Sequence, residues 1–147
     1  MDTTAHRRLC YTLIGLEVFV VAMAIYGSLS MLLDAEGFGL KEAWLQGSPF
    51  SDYRIPGLAL LVGVGGTSCV AAMPLLRARV EIGRLLSVGA GLVLVVFELV
   101  EFHAIGPRNF QEPLMLAIGL LIAAIGGFLW NDERPRRTRG RRLTYVQ

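Results

Sequence analysis

LLSVGAGLVLVVFELVEFHAI, residues 85–105, is the stretch whose reading decides the fold. Its 21 residues contain no proline and, apart from His103, no basic side chain. As a helix rising about 1.5 Å per residue it measures roughly 30 Å, the thickness of the hydrocarbon layer of a bilayer. A strand reading fails because Leu, Val, Gly and Ala follow one another without strict alternation. Three more stretches repeat the pattern: residues 10–33 (24 residues), 55–76 (22) and 114–130 (17). Together the four take 84 of 147 residues but only three of the 26 charged ones, Glu17, Glu98 and Glu101. Hydrophobic residues make up 54% of the chain, charged residues 18%, and the mean hydropathy is +0.55. A soluble domain carries more charge and less apolar surface than this.

The expectation is an all-α polytopic membrane protein, a four-transmembrane-helix bundle forming a single domain over residues 1–147. Its spans fall at about 10–33, 55–76, 85–105 and 113–131, with a basic tail at 132–147. Four strands cannot close a transmembrane barrel, which leaves helices as the spanning element. Pro56 and Pro113 sit in the first turns of the second and fourth spans, where the missing amide has no intrahelical acceptor to lose. Pro74 lies near the far end of the second span and is expected to kink or end it. The first span follows His6, Arg7 and Arg8, as a secretory signal would, but its apolar run is longer than a signal core and reads as a retained helix.

Basic residues set the expected orientation. Eleven of them fall in the N-terminal arm, the second loop (Arg77, Arg79, Arg84) and the tail. Only Lys41, Arg54 and Arg108 fall on the other side. Because short cytoplasmic loops are enriched in Lys and Arg, both termini are expected in the cytoplasm and the first and third loops outside. The tail, with six arginines and no interleaved aromatic residues before Tyr145, is expected to bind anionic lipid headgroups and not nucleic acid. The first outer loop, residues 34–54, carries Phe38, Trp44 and Phe50 among polar residues and reads as an interfacial segment anchored by Trp44.

Lipid tails are as apolar as Leu, so membrane helices associate where small residues let backbones approach. Small pairs four apart occur at Ala59 and Gly63, Gly63 and Thr67, Ser68 and Ala72, Ser87 and Gly91, and Ala123 and Gly127. They predict tight packing of the second, third and fourth spans within one chain, ahead of a dimerisation face.

Two groups of residues are candidates for chemistry, because an ionisable side chain in a membrane core is costly and needs an interior partner. Glu98 and Glu101 share a helix face near the outer end of the third span. At that level lie His103, Arg108 and Gln111, then Asp52, Tyr53 and Arg54 at the entry of the second span, with Tyr26 from the first, which together make a candidate outward-facing ligand or ion pocket. The competing reading is a salt-bridged seam in which Arg54 or Arg108 neutralises Glu101. In the inner layer Glu17 is expected at the depth of Cys69, with Thr67 and Ser68 close by. A carboxyl group hydrogen-bonded to a hydroxyl of the second span is preferred there over a proton relay. A di-iron-type site is disfavoured, since it needs Glu-x-x-His on two helices and the residue three after Glu98 is Glu101. One Cys and one Glu fall short of a metal coordination set, and Cys10 and Cys69 are expected as free thiols away from the oxidising face. No phosphate loop, catalytic triad or zinc-protease motif is present, so neither a metal nor a cofactor is expected.

The stretch from Trp44 through Gln46, Pro49, Asp52 and Tyr53 to Pro56 and Gly57 resembles the loop-to-helix junction of a group of small four-helix membrane proteins of bacteria, many of them actinobacterial. The resemblance implies the same four spans and brings no activity, substrate or cofactor. Two functions are therefore carried forward. The first is a non-enzymatic accessory or scaffolding subunit of a membrane assembly, with other subunits or itself as partner. The second is a small ion- or proton-coupled carrier or channel using the carboxylate pocket.

Overall fold

The computed structural model describes residues 3–33, 40–46, 49–77, 79–105 and 111–143, and for residues 3, 42, 44, 105 and 133–143 the backbone only. Helix α1 runs over Thr3–Leu33. The second long rod is composite: α2 (Arg54–Ala59), a π-helical turn (Leu60–Gly65) and α3 (Gly66–Leu76) follow without a break. Helices α4 (Val80–Ile105) and α5 (Gln111–Leu143) complete the set, and a short 3-10 turn, Glu42–Leu45, lies in the first connection. Four helices are long and apolar enough to cross a membrane: Thr4–Leu33, Arg54–Leu76, Val80–Ala104 and Gln111–Asp132. No strand occurs among the described residues.

The rods form a ring. α1 packs on the composite rod and on α5, α4 packs on α3 and α5, and α1 and α4 face each other across the bundle. Heptad spacing sets the inward stripes. On α5 these are Met115, Ile122 and Leu129; on α4 they are Arg84, Ser87, Gly91, Leu94, Glu98 and Glu101. Leu13, Val20, Ala24, Val64 and Leu75 complete the core. The outer surface is apolar, with Leu33, Val62, Leu76 and Val96 all exposed, whereas Glu17, Arg84 and Glu98 are buried. That is the inverse of a soluble bundle.

α4 and α5 touch backbone to backbone. A methyl group on Gly91 would lie 2.6 Å from the Gly119 oxygen and 2.7 Å from the Ala123 nitrogen, so only glycine permits this approach. The first connection is tied down by Tyr53, which is buried and donates its hydroxyl to the Lys41 carbonyl at 2.9 Å. The Arg54 amide donates to Asp52 Oδ1 at 3.0 Å, an Asx turn that starts α2.

One expectation is corrected here. The third span begins at Val80, five residues before the expected start, because Val80, Gly83 and Arg84 continue its inward face; Arg84 thus belongs to the helix and not to a basic loop. The fourth candidate span runs over Gln111–Asp132, the helix itself continues through the basic tail to Leu143, and residues 144–147 lie outside the described set. Pro74 does end its helix, two residues later at Leu76. The anchoring role expected of Trp44 lies outside the described side chains, but its neighbour Leu45 is buried.

Candidate functional site

At the end of the bundle where α1 and α4 finish and α5 starts, the helices leave a cavity of about 200 Å³. α1 contributes Tyr26, Gly27, Ser30 and Met31, α4 contributes Glu98 and Glu101, and α5 contributes Gln111 and Glu112. Helical spacing explains the set. Positions three and four apart share a face, so two carboxyl groups from α4 meet one from the first turn of α5. That first turn is where exposed amides and the helix dipole favour a negative charge, which suits Glu112.

Glu98 is 7% exposed, and among the described residues it forms no hydrogen bond or ion pair. The charges that act on it are those of Glu101 and Glu112, both of like sign. No described basic side chain lines the cavity. Three carboxyl groups in one partly enclosed space disfavour one another's ionisation, and a cation placed among them offsets that repulsion.

Of the residues expected to join Glu98 and Glu101 in this pocket, Tyr26 and Gln111 do so, whereas Tyr53 is buried against the first connection. His103, two positions past Glu101 and so on the opposite side of α4, is exposed and lines a shallow apolar cleft with Pro49, Phe50 and Leu99 instead. Arg54 is exposed at the start of α2 and forms no ion pair with Glu101 among the described residues, so the salt-bridged seam is not formed through it. Arg108 lies outside the described residues. Glu112 is the carboxylate that the sequence reading left out, and its position one residue after Gln111 was the available signal.

A narrow internal cavity of about 70 Å³ continues inward from Glu98, Glu101 and Gln111 past Phe97 and Met115 and stops at Val20, Val64 and Leu94. One helical turn beyond that apolar layer is Glu17, fully buried. Its polar neighbours are Ser87 on α4 and Ser68 on α3, both buried. Ser87 and Ser68 stand within hydrogen-bonding reach of the Glu17 carboxyl group, though neither Glu17 oxygen nor Ser87 Oγ has the geometry of a formed bond. Cys69 is not the partner expected: it follows Ser68 by about 100° round the helix and is exposed on the outer surface.

The largest fully buried side chain is Arg84. Its Nη1 donates to the Leu129 carbonyl at 3.3 Å, Nη2 meets His6 Nε2, and Cys10 Sγ is 3.9 Å away. The 3-4 spacing read backwards from Glu98 through Leu94, Gly91 and Ser87 arrives at Arg84, which is how the sequence could have placed it inside. Among the described residues no group of three His, Cys, Asp or Glu side chains is arranged to hold a metal ion. No family model matches the chain, and neither a curated protein nor a solved structure does.

Proposed function

We propose that this is a small multi-pass protein of the cell membrane that acts as a carrier or channel, taking a cation into the Glu98, Glu101 and Glu112 pocket. The observation that supports the reading is Glu98 itself: a buried carboxyl group without a hydrogen-bond or ion-pair partner among the described residues, opening into a cavity whose other described ionisable lining groups are also acidic. Such a group is costly in a bilayer unless something binds it. The lining selects the class of cation. Among the described residues no group of three His, Cys, Asp or Glu side chains is arranged to hold a metal ion, while Tyr26, Met31 and Leu40 give the pocket aromatic and apolar walls. An organic ammonium ion suits acidic groups combined with such walls. The test is binding of tetraethylammonium to the purified protein, with saturable binding expected for the wild type and its loss for Glu98→Gln.

In this reading both termini are cytoplasmic, as the asymmetry of arginines directs, and the pocket opens outside. A single cysteine at Gln46, with Cys10 and Cys69 replaced, then reacts with an impermeant thiol reagent applied to intact cells. One at Thr138 does not, and labelling there from outside reverses the orientation.

A second reading, an accessory subunit in a larger assembly, is favoured by a different feature. Gly66, Thr67, Gly89 and Ala90 line an apolar outward groove of about 520 Å³ between the composite rod and α4, and no atom stands within 4 Å of where side chains on Gly63 and Gly89 would project. Small residues on an outer face permit close approach of another helix. Stoichiometric copurification of a second membrane protein in mild detergent distinguishes this reading from the first.

A further inference from the structure

The outer carboxylates and Glu17 lie on one axis. Read along the inner faces, α1 presents Glu17, Val20, Ala24 and Gly27, α4 presents Ser87, Gly91, Leu94 and Glu98, and the composite rod presents Ser68 and Val64. Glu17 is level with Ser87 on α4, so at about 1.5 Å per residue Glu17 and Glu98 are roughly 15 Å apart along the bundle. Direct proton transfer needs donor and acceptor within about 3 Å, or a water between them.

Most of that gap is already open. The 70 Å³ cavity descends from Glu98 to Val20, Val64 and Leu94, and a site for one water needs only about 10–15 Å³. What remains closed is a single apolar layer, one helical turn thick. On its far side are Glu17 and Ser87, both fully buried and with their oxygens out of hydrogen-bonding geometry. Polar groups that stand so close at such a depth without a formed bond are costly until a proton or a water completes the contact. Val64 belongs to the π turn, a local irregularity of helical hydrogen bonding of the kind that recurs at functional sites. Beyond Glu17 the polar side chains continue, since Ser87 is one turn from Arg84, which meets His6 at the end of the bundle.

We propose that Glu17 is a second proton station, receiving the proton that Glu98 gives up when a cation enters the outer pocket, across a gate formed by Val20, Val64 and Leu94. The proton leaves the Glu98 carboxyl oxygen, crosses along water that fills the cavity and the opened gate, and forms the O–H bond of a Glu17 that started as the carboxylate. Glu17 then releases it to water at the inner end of the bundle before the next transfer. Glu98 is left as the carboxylate that pairs with the cation, and no charge is created or lost. Ser68 and Ser87 flank Glu17 from the composite rod and α4, and Arg84 is the charged group one turn further along α4. The relay rests on the cation-binding reading of the outer pocket.

The test is voltage-driven proton flux into liposomes that carry the full-length protein and an internal pH dye, alongside tetraethylammonium binding by the same preparations. Wild-type protein should conduct protons above protein-free vesicles, and Glu17→Gln should lower that flux by about tenfold or more while leaving binding intact. Val20→Ala, which thins the gate without touching a carboxylate, should raise the flux and should do so only when Glu17 is present. Wild-type flux retained by Glu17→Gln overturns the relay, as does a folded Val20→Ala protein with unchanged flux. Binding without any wild-type flux removes the relay and leaves the outer pocket standing; flux without binding removes the pocket reading.

Discussion

An arginine inside an apolar bundle is costly, by roughly 2.5–3.5 kcal/mol on membrane insertion scales. Arg84 offsets that cost with the Leu129 carbonyl and His6, and so ties α4 to α5 and α1 at one end of the bundle. Arg84→Ala should therefore lower stability by about 1–3 kcal/mol, because a charge-assisted hydrogen bond is lost and a carbonyl is left buried. Thermal unfolding in detergent, followed by circular dichroism, reads this directly, and an unchanged melting temperature would make Arg84 a passenger. At this scale the sequence was only partly legible. Hydropathy identified Glu17 and Glu98 as interior groups because both lie deep in apolar runs. It misplaced Arg84, since a positive charge beside Arg77 and Arg79 reads as loop. It also joined His103 to Glu101 and Cys69 to Glu17 by depth alone, and depth does not say which side of a helix a residue is on.

The same limit operates on whole elements. Small residues four apart announced close packing, but which of them meet a neighbour depends on helix rotation. Gly91 meets the α5 backbone, whereas Gly89, two residues earlier, has nothing within 4 Å of where a side chain would start. Gly91→Ala should force α4 and α5 apart and cost about 1–3 kcal/mol as an overpacked contact. Gly89→Ala should be neutral or stabilising by up to about 1 kcal/mol, from helix propensity. Comparing the two melting temperatures checks the packing, and equal effects would contradict it. In the composite rod, Gly65 is held close to Ala24, yet Gly63 is open, and Thr67 returns its hydroxyl to the Gly63 carbonyl at 2.5 Å and does not use it to reach another helix. The π turn between α2 and α3 has no sequence signature that periodicity can read, because one extra residue in a turn leaves hydropathy unchanged.

Across the whole molecule, polar side chains are concentrated in three layers: Arg84 with His6, Glu17 with Ser68 and Ser87, and the outer carboxylate pocket. Val20, Val64 and Leu94 separate the second layer from the third. Four helices long and apolar enough to cross a membrane, and the absence of strands among the described residues, were readable from length and hydropathy. The convergence of Glu112 on Glu98 was not, since it depends on where α5 begins after a connection that hydropathy leaves unassigned. The central claim is that the outer pocket binds a cation through Glu98. Titration calorimetry of tetraethylammonium into the purified protein in detergent, with potassium and calcium as controls, tests it most directly. The account predicts saturable binding that prefers the organic cation, weakened by about tenfold or more, roughly 1.4 kcal/mol, in a Glu98→Gln variant with an unchanged melting temperature. Equal affinity in both proteins, or no heat of binding in the wild type, would contradict it.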